Sequence, residues 1–173
     1  MKVPYYNIDK EFKRIKKSFF KDLIKIGNSG NFILEKNLNF FEEKLKKIIG
    51  SNNVVGVANG TDALELAISA LKIKKNSEII SVSNTFISTI NAILRSGCKP
   101  VLCDIDSTFN IDPTKIERLI NKKTSAIIAV HLNGLPCCME KINLIARKYK
   151  IHVIEDSAQS ILSEYNGKKI GNS

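Results

Sequence analysis

Three short polar stretches carry side chains that could bind a phosphorylated ring compound. The first, Asn59-Gly60-Thr61-Asp62, follows an apolar run and opens a helical pattern. A glycine there permits close approach of the backbone, and the first amides of a helix bind phosphate well. The alternative interpretation is that Gly60 makes a tight turn and Thr61 or Asp62 only caps the helix. The stretch matches neither the dinucleotide-binding nor the P-loop pattern.

The other two stretches offer an aromatic face and a carboxylate. Phe86 ends the stretch Ser83-Asn84-Thr85-Phe86 and could stack on a flat ring, although a phenylalanine is more often a core residue. Asp156 lies in Glu155-Asp156-Ser157-Ala158-Gln159. Its carboxylate could pair with a protonated ring nitrogen, which keeps pyridoxal phosphate in its electron-withdrawing form, or it could cap a turn.

The apolar pattern predicts the elements that position these stretches. Runs that are apolar throughout, separated by helical stretches, indicate an α/β fold with a mostly parallel sheet and helices on both faces. The predicted strands are Val54–Val57, Ile79–Val82, Pro100–Cys103, Ala126–Val130 and His152–Ile154, and the predicted helices cover 61–72, 87–96, 113–121 and 139–149. Each polar stretch follows a predicted strand, so the three should meet at the C-terminal edge of the sheet.

The remaining segments flank this core. Helical periodicity predicts helices over Asp9–Ile26 and Asn37–Ile49, with a loop at Gly27–Asn31 between them. Near the end, Asn166-Gly167 is typical of a tight β-hairpin. We therefore expect an N-terminal helical segment over residues 1–50 and an α/β domain over residues 51–173.

Composition narrows the possible partners. The net charge of +10 could indicate nucleic-acid binding, but the lysines are spread along the chain without interleaved aromatics, so we expect neither nucleic acid nor membrane as a partner. No apolar run could serve as a signal peptide or cross a bilayer, which predicts a soluble, cytoplasmic protein. The four cysteines show no CxxC pair, so reduced thiols are expected and no metal site is predicted.

Taken in order, these motifs resemble those of the DegT/DnrJ/EryC1/StrS aminotransferases, the sugar-modifying branch of the fold-type I pyridoxal-phosphate enzymes. The resemblance runs through nearly the whole chain. Its most specific part is the phosphate-binding turn, which this chain has as Asn59-Gly60-Thr61-Asp62-Ala63-Leu64. Further matching motifs are Asn84-Thr85-Phe86, Gly97-Cys98-Lys99-Pro100-Val101, Asp104-Ile105-Asp106, Asn110-Ile111-Asp112-Pro113, Val130-His131-Leu132-Asn133-Gly134 and Ile154-Glu155-Asp156-Ser157-Ala158-Gln159.

The resemblance implies a role for five residues in binding pyridoxal 5'-phosphate. Gly60 and Thr61 would hold the phosphate, and Phe86 would stack on the pyridine ring. Asp156 would pair with the ring nitrogen and Gln159 would hydrogen-bond the phenolic oxygen. Two further polar residues, His131 and Asp62, are interpreted as structural and are left out of the catalytic set.

The resemblance also places the family's Schiff-base lysine downstream of Asp156, beyond the hairpin. Only 17 residues follow Asp156, and Lys168 and Lys169 fall within the hairpin pattern. We therefore expect the chain to represent an incomplete large domain that lacks this lysine and is inactive alone.

The activity implied for the complete enzyme is amino transfer to a keto group of a nucleotide-linked sugar. An amino acid, often glutamate in the family, would donate the nitrogen, and the enzyme would be a homodimer. Two alternatives remain open. One is the dehydratase branch of the family, which has a histidine in place of the lysine; the other is a non-catalytic remnant or pseudoenzyme.

Overall fold

A computed structural model describes residues 7–171 of the chain. The contacts divide the chain into two compact units, Met1–Phe41 and Glu42–Ser173. The boundary expected after residue 50 stays a prediction.

The N-terminal part of the chain is helical, with α1 at Ile8–Ser29 and α2 at Lys36–Ile49. The predicted loop at Gly27–Asn31 is wrong for its first three residues, because α1 continues through them. The helix ends at Gly30, whose φ of 68° is left-handed and whose amide donates to the carbonyl of Gly27. A glycine meets little steric penalty in this conformation and is a common helix stop.

One face of α1 is apolar. Its side chains recur at helical spacing, and the helix, which the structure describes in full, contains no buried residue. Phe12, Phe19 and Phe20 contact one another edge-on, with ring centroids 5.6–6.4 Å apart. An exposed aromatic face of this kind is typical of a surface that packs against a partner.

The second unit contains a four-stranded parallel sheet in the order β2-β1-β3-β4. The strands are β1 at Glu78–Val82, β2 at Lys99–Cys103, β3 at Thr124–Val130 and β4 at His152–Asp156. The helices are α3 at Gly60–Ala70, α4 at Ile87–Arg95, α5 at Pro113–Ile116 with a 3₁₀ turn at Glu117–Leu119, and α6 at Met139–Tyr149.

The two central strands explain why the sequence reads as an α/β fold. Ile79 and Ile80 of β1 and Ile127 and Ile128 of β3 are fully buried. Successive side chains of a strand point to opposite faces, so such runs require a cover on both sides of the sheet. Connections between parallel strands are right-handed as a rule, and with this strand order the rule puts α4 on one face and α5 and α6 on the other; α5 and α6 contact each other. The predicted fold class is confirmed.

The strand order creates a crevice at one edge of the sheet. The chain leaves β1 toward β2 on one side and leaves β3 toward β4 on the other side. The C-terminal ends of β1 and β3 are therefore neighbours whose connections diverge. This arrangement is the usual ligand site of an open parallel sheet.

The predicted strand at Val54–Val57 is wrong. This segment pairs with no strand among residues 7–171 and has no regular structure. The amide of Gly56 donates instead to Glu42 Oε1 at 2.7 Å, and the side chain of Val55 is 76% exposed. Apolar composition favours a strand only where a neighbouring strand supplies hydrogen-bond partners.

The predicted hairpin is confirmed. Strand β5 at Glu164–Tyr165 pairs antiparallel with β6 at Lys168–Lys169. The two turn residues, Asn166 and Gly167, have φ values of 51° and 75°. Two left-handed residues in succession match the type I′ turn that joins tightly paired strands.

The cysteines are free thiols, as expected. Burial raises the pKa of the Cys137 thiol to about 12, so this group is protonated at neutral pH. Within residues 7–171 no helix has the length and apolar character needed to span a bilayer.

We expect the substitution Ile142→Ala to lower the free energy of unfolding by about 3 kcal/mol, because Ile142 of α6 is fully buried and its loss leaves a cavity. Urea denaturation followed by circular dichroism measures this change. Leu144→Ala is the matched control on the same helix, since Leu144 is 60% exposed, and should change stability by less than about 0.5 kcal/mol. Equal losses in the two variants would contradict the assigned core face of α6.

Candidate functional site

The N-terminus of α3 presents unpaired backbone donors. Asn59 caps this helix: its Oδ1 accepts from the amide of Asp62 at 3.0 Å, and its Nδ2 donates to Asp62 Oδ2 at 3.0 Å. The interpretation that Thr61 or Asp62 provides the cap is therefore wrong. Among the described residues, no acceptor takes the amides of Gly60 and Thr61. Two free N–H groups at the positive end of a helix dipole favour an anion.

Space is available in front of these amides. Apart from its own neighbours in the chain and helix, no atom lies within 4 Å of the position that a Cβ on Gly60 would occupy. The Thr61 hydroxyl donates to Ser88 Oγ at 2.7 Å, which joins the first turn of α3 to the first turn of α4. The two helix starts are thereby held side by side at one edge of the sheet.

The carboxylate of Asp156 is held in place at the end of β4. Its Oδ2 accepts from the Thr89 hydroxyl at 3.1 Å, and its Oδ1 accepts from the amide of Ala158 at 3.2 Å. Thr89 is buried and also shares a hydrogen bond of 2.8 Å with the hydroxyl of Thr85. These bonds orient a carboxylate that would otherwise rotate freely.

Sequence reasoning missed Ser88 and Thr89. Both lie in the first turn of α4, and their partners are 27 and 67 residues away in the chain. The available signal was the unusual density of hydroxyl groups, Thr85, Ser88 and Thr89, just after the end of a predicted strand. Through them, Thr61 and Asp156 are connected to one helical turn.

Phe86 lies directly before α4 and is 70% exposed. The alternative that it is a core residue is wrong. It precedes Ser88 by two residues, so its ring is presented at the same edge of the sheet as the Thr61–Ser88 contact. An exposed aromatic ring beside polar groups is suited to stacking on a planar ligand.

Gln159 uses only one side of its amide group. Its Oε1 accepts from the backbone amide of Asn133 at 2.9 Å and so holds the turn after β3. Asn133 has a left-handed φ of 52° in this turn. Within the described part of the chain, the NH₂ group of Gln159 has no acceptor, so it remains a donor for an oxygen of a ligand.

His131 is fully buried and fully engaged. Its Nδ1 accepts from the amide of Cys137 at 2.9 Å, so the neutral ring carries its proton on Nε2, which lies 3.1 Å from Glu155 Oε2. The same Glu155 oxygen accepts from the amide of Gly171. These contacts hold the imidazole ring in place, and the position of His131 outside the catalytic set stays a prediction.

Outside this site, the ionisable groups of interest are the metal-binding residue types and the lysines of the hairpin. No group of three or more His, Cys, Asp or Glu side chains in residues 7–171 is arranged to hold a metal ion. Lys168 and Lys169 lie in β6 of the hairpin, and Lys169 Nζ contacts Glu164 at 2.6 Å and the carbonyl of Leu162 at 3.0 Å.

Comparison with known proteins identifies relatives of the whole chain. The model of the DegT/DnrJ/EryC1/StrS aminotransferase family matches residues 13–173. A dTDP-3-amino-3,6-dideoxy-alpha-D-galactopyranose transaminase of Aneurinibacillus thermoaerophilus is 44% identical over 170 residues, which are 98% of this chain and 47% of that protein. The chain spans about half the length of the first curated relatives that it matches.

Solved structures support the same fold. DesV of S. venezuelae, determined in complex with a ketimine intermediate, superimposes with a TM-score of 0.94 at 29% identity, covering 99% of this chain and 46% of DesV. The E. coli GDP-4-keto-6-deoxy-D-mannose-3-dehydratase with bound hydrated PLP superimposes with a TM-score of 0.82 at 29% identity. The match covers 88% of this chain and 41% of the dehydratase. The expected fold-type I large domain is therefore confirmed over the part that this chain contains.

The substitution His131→Leu should lower the free energy of unfolding by about 2 to 3 kcal/mol, because the buried Cys137 amide loses its acceptor and Glu155 loses the hydrogen bond to His131 Nε2. His131→Asn retains an acceptor near the Nδ1 position and should recover part of the loss. The matched control is His152→Leu, since His152 is exposed. Urea unfolding of the three variants measures the difference, and an effect of the same size at both histidines would argue against the buried network.

Proposed function

Because this chain belongs to the DegT/DnrJ/EryC1/StrS aminotransferase family, we propose that it is the cofactor-binding portion of an enzyme that aminates a keto group of a nucleotide-linked sugar. The observation that carries the proposal is the oriented carboxylate of Asp156, which is connected through Thr89 and Ser88 to the open N-terminus of α3.

The residues of this site fit pyridoxal 5'-phosphate group by group. The cofactor contains a phosphate, a flat ring, a basic ring nitrogen and a phenolic oxygen. The site offers free amides at Gly60 and Thr61, an exposed ring at Phe86, a carboxylate at Asp156 and a free NH₂ donor at Gln159. Each of these four groups therefore has a complementary partner, and the aldehyde of the cofactor is the group that has none among these residues.

The phosphate would be held by the first turn of α3. The amides of Gly60 and Thr61 lie at the positive end of the helix dipole, where a doubly charged phosphate is stabilised. The absence of a side chain on Gly60 lets the phosphate oxygens approach the backbone. The Thr61–Ser88 hydrogen bond would keep this turn fixed against α4.

The ring would be held by the other three residues. Phe86 would cover one face of the ring, and Gln159 would donate to the phenolic oxygen. The protonated ring nitrogen would donate a charge-assisted hydrogen bond to the Asp156 carboxylate, so that the nitrogen keeps its proton. With that proton in place, pyridoxal phosphate supplies an electron sink for the carbon that exchanges the amino group.

Proton transfer and covalent attachment require a further group. Among the described residues, no hydrogen bond or ion pair joins a lysine to Thr61, Asp156 or Gln159. We assign both tasks to a lysine outside this sequence, since the chain spans about half of its curated relatives. The chain alone should then bind the cofactor reversibly and give no turnover.

The proposed substrates are inferred from the names of the relatives. The Aneurinibacillus relative is named a transaminase of a dTDP-sugar. This favours a nucleotide-linked ketosugar as acceptor and an amino acid, glutamate in our proposal, as donor. The dehydratase among the structural neighbours keeps the second candidate, a sugar dehydratase, open. A non-catalytic remnant is the third candidate.

The free thiols favour a reducing compartment, so we propose a cytoplasmic location.

Calorimetric titration with pyridoxamine 5'-phosphate tests the site, because this form of the cofactor has no aldehyde to react with surface lysines. We expect Asp156→Asn to weaken binding by about 10- to 100-fold, the range for loss of a charge-assisted hydrogen bond. Asp22→Asn, at an exposed aspartate of α1, is the matched control and should bind as the unaltered chain does. No binding by the unaltered chain, or equal binding by both variants, would contradict the proposed site.

Substitutions at Thr89 test the orientation of the Asp156 carboxylate without removing its charge. Thr89→Val removes the hydroxyl that donates to Asp156, while Thr89→Ser retains it. We expect the valine variant to weaken pyridoxamine phosphate binding by about 5- to 10-fold and the serine variant to bind nearly normally. If both variants bind equally, Thr89 does not position Asp156.

We also propose that the protein forms a homodimer through the apolar face of α1. This face includes Phe12, Ile15, Phe19 and Leu23, each 41–49% exposed. Phe19→Glu should convert the dimer to monomer, because it places a charge in a contact that excludes water. Light scattering after gel filtration measures the mass. Ser18→Glu adds the same charge beside this face and should leave the mass unchanged; a monomeric unaltered chain would refute the proposal.

A further inference from the structure

A second hollow lies at the opposite edge of the sheet from the candidate site. It has a volume of about 460 Å³ and is lined by residues at the N-terminal ends of the strands. Six of its twelve lining residues are lysines and none is acidic. The lysines are Lys72, Lys74, Lys75, Lys99, Lys122 and Lys123.

Three separate chain connections bring these lysines together. The first three follow α3 and precede β1, Lys99 begins β2, and the last two precede β3. Because parallel strands begin at the same edge, side chains that are up to 51 residues apart in sequence converge there. The even spread of lysines along the sequence therefore conceals a local concentration.

The lysines of this hollow take no part in the ion pairs found among residues 7–171. None of the six lysines forms an ion pair with a carboxylate of residues 7–171, although Lys115, Lys148 and Lys169 in the same unit do. The carboxylate nearest in sequence, that of Glu78, accepts from Asn121 Nδ2 at 2.7 Å.

Stabilisation of helix ends explains only part of this cluster. Cations near a helix C-terminus are favoured by the dipole, and this accounts for Lys72 and Lys74 after α3. Lys99 lies four residues after the end of α4, as Lys74 does after α3, and shares this benefit, whereas Lys123 stands just before the first residue of β3 and follows only a short 3₁₀ turn. Their convergence on one hollow brings like charges together, which is unfavourable unless an anion is present.

We propose that this hollow binds a small molecule with two or more adjacent phosphates, at a site separate from the cofactor site. Its volume lies within the range of about 300–1,000 Å³ that is usual for small-molecule pockets. Lys ammonium groups suit such a ligand because each is a compact donor that can follow the position of a phosphate oxygen. Asn76 and Ser77 add uncharged polar groups to the lining.

A small oligophosphate is favoured over a nucleic acid by the shape and composition of the hollow. The lining is confined to one pocket and contains no Phe, Tyr or Trp side chain on which bases could stack. The proposal does not depend on the proposed aminotransferase activity, because no lining residue belongs to the candidate cofactor site.

Calorimetric titration of the full chain with sodium tripolyphosphate tests this site, with orthophosphate and a short DNA duplex as comparison ligands. The variant Lys99→Gln/Lys123→Gln removes two charges from the hollow. The control Lys141→Gln/Lys168→Gln removes two exposed charges from the same unit outside it, so the two variants have equal net charge. Thermal melting followed by circular dichroism verifies that both variants fold.

We expect tripolyphosphate to bind the unaltered chain and the control alike, and the hollow variant roughly tenfold more weakly, since each exposed ammonium contact contributes modestly in water. Higher salt should weaken all three. Equal weakening in the two variants would show a response to net charge alone and overturn the proposal. So would orthophosphate binding as tightly as tripolyphosphate, DNA binding more tightly than either, or no binding at low salt.

Discussion

The parallel pairing of β1 with β3 is the constraint on which the rest of the second unit depends. These strands are neighbours in the sheet, yet β2 lies between them in the sequence. The chain must therefore cross over β1 on its way to β3, and the two connections leave in opposite directions. That divergence opens the crevice at the C-terminal ends of the strands. Residues at the starts of α3 and α4 and at the end of β4 meet there without any long loop.

The burial of the central strands makes this arrangement rigid. Ile79, Ile80, Ile127 and Ile128 have no exposed surface, so a slip of register would place different side chains in both layers of the core. A rigid sheet fixes the backbone at the ends of its strands to within small displacements. Hydrogen bonds such as that from Thr89 to Asp156 can then act between residues far apart in sequence.

The sequence predicted those parts of the fold that depend on local pattern. Four strands were found because each contains a short apolar run, and the hairpin was found because Asn166-Gly167 suits only a few turns. Val54–Val57 failed as a strand because pairing depends on a neighbour, which a local pattern does not contain. Ser88 and Thr89 were missed for a related reason: a hydroxyl becomes informative only when its distant partner is known.

The two edges of the sheet attract anions by different physical means. At the C-terminal edge, helix N-termini supply oriented amides, so binding there depends on fixed backbone geometry and the absence of a side chain at Gly60. At the N-terminal edge the helix dipoles have the opposite sign. Attraction of an anion there must come from lysine side chains, whose positive charge exceeds the partial negative charge of the helix ends. The first kind of site selects by shape and resists salt. The second selects by charge density, so ionic strength should distinguish the two sites on one chain.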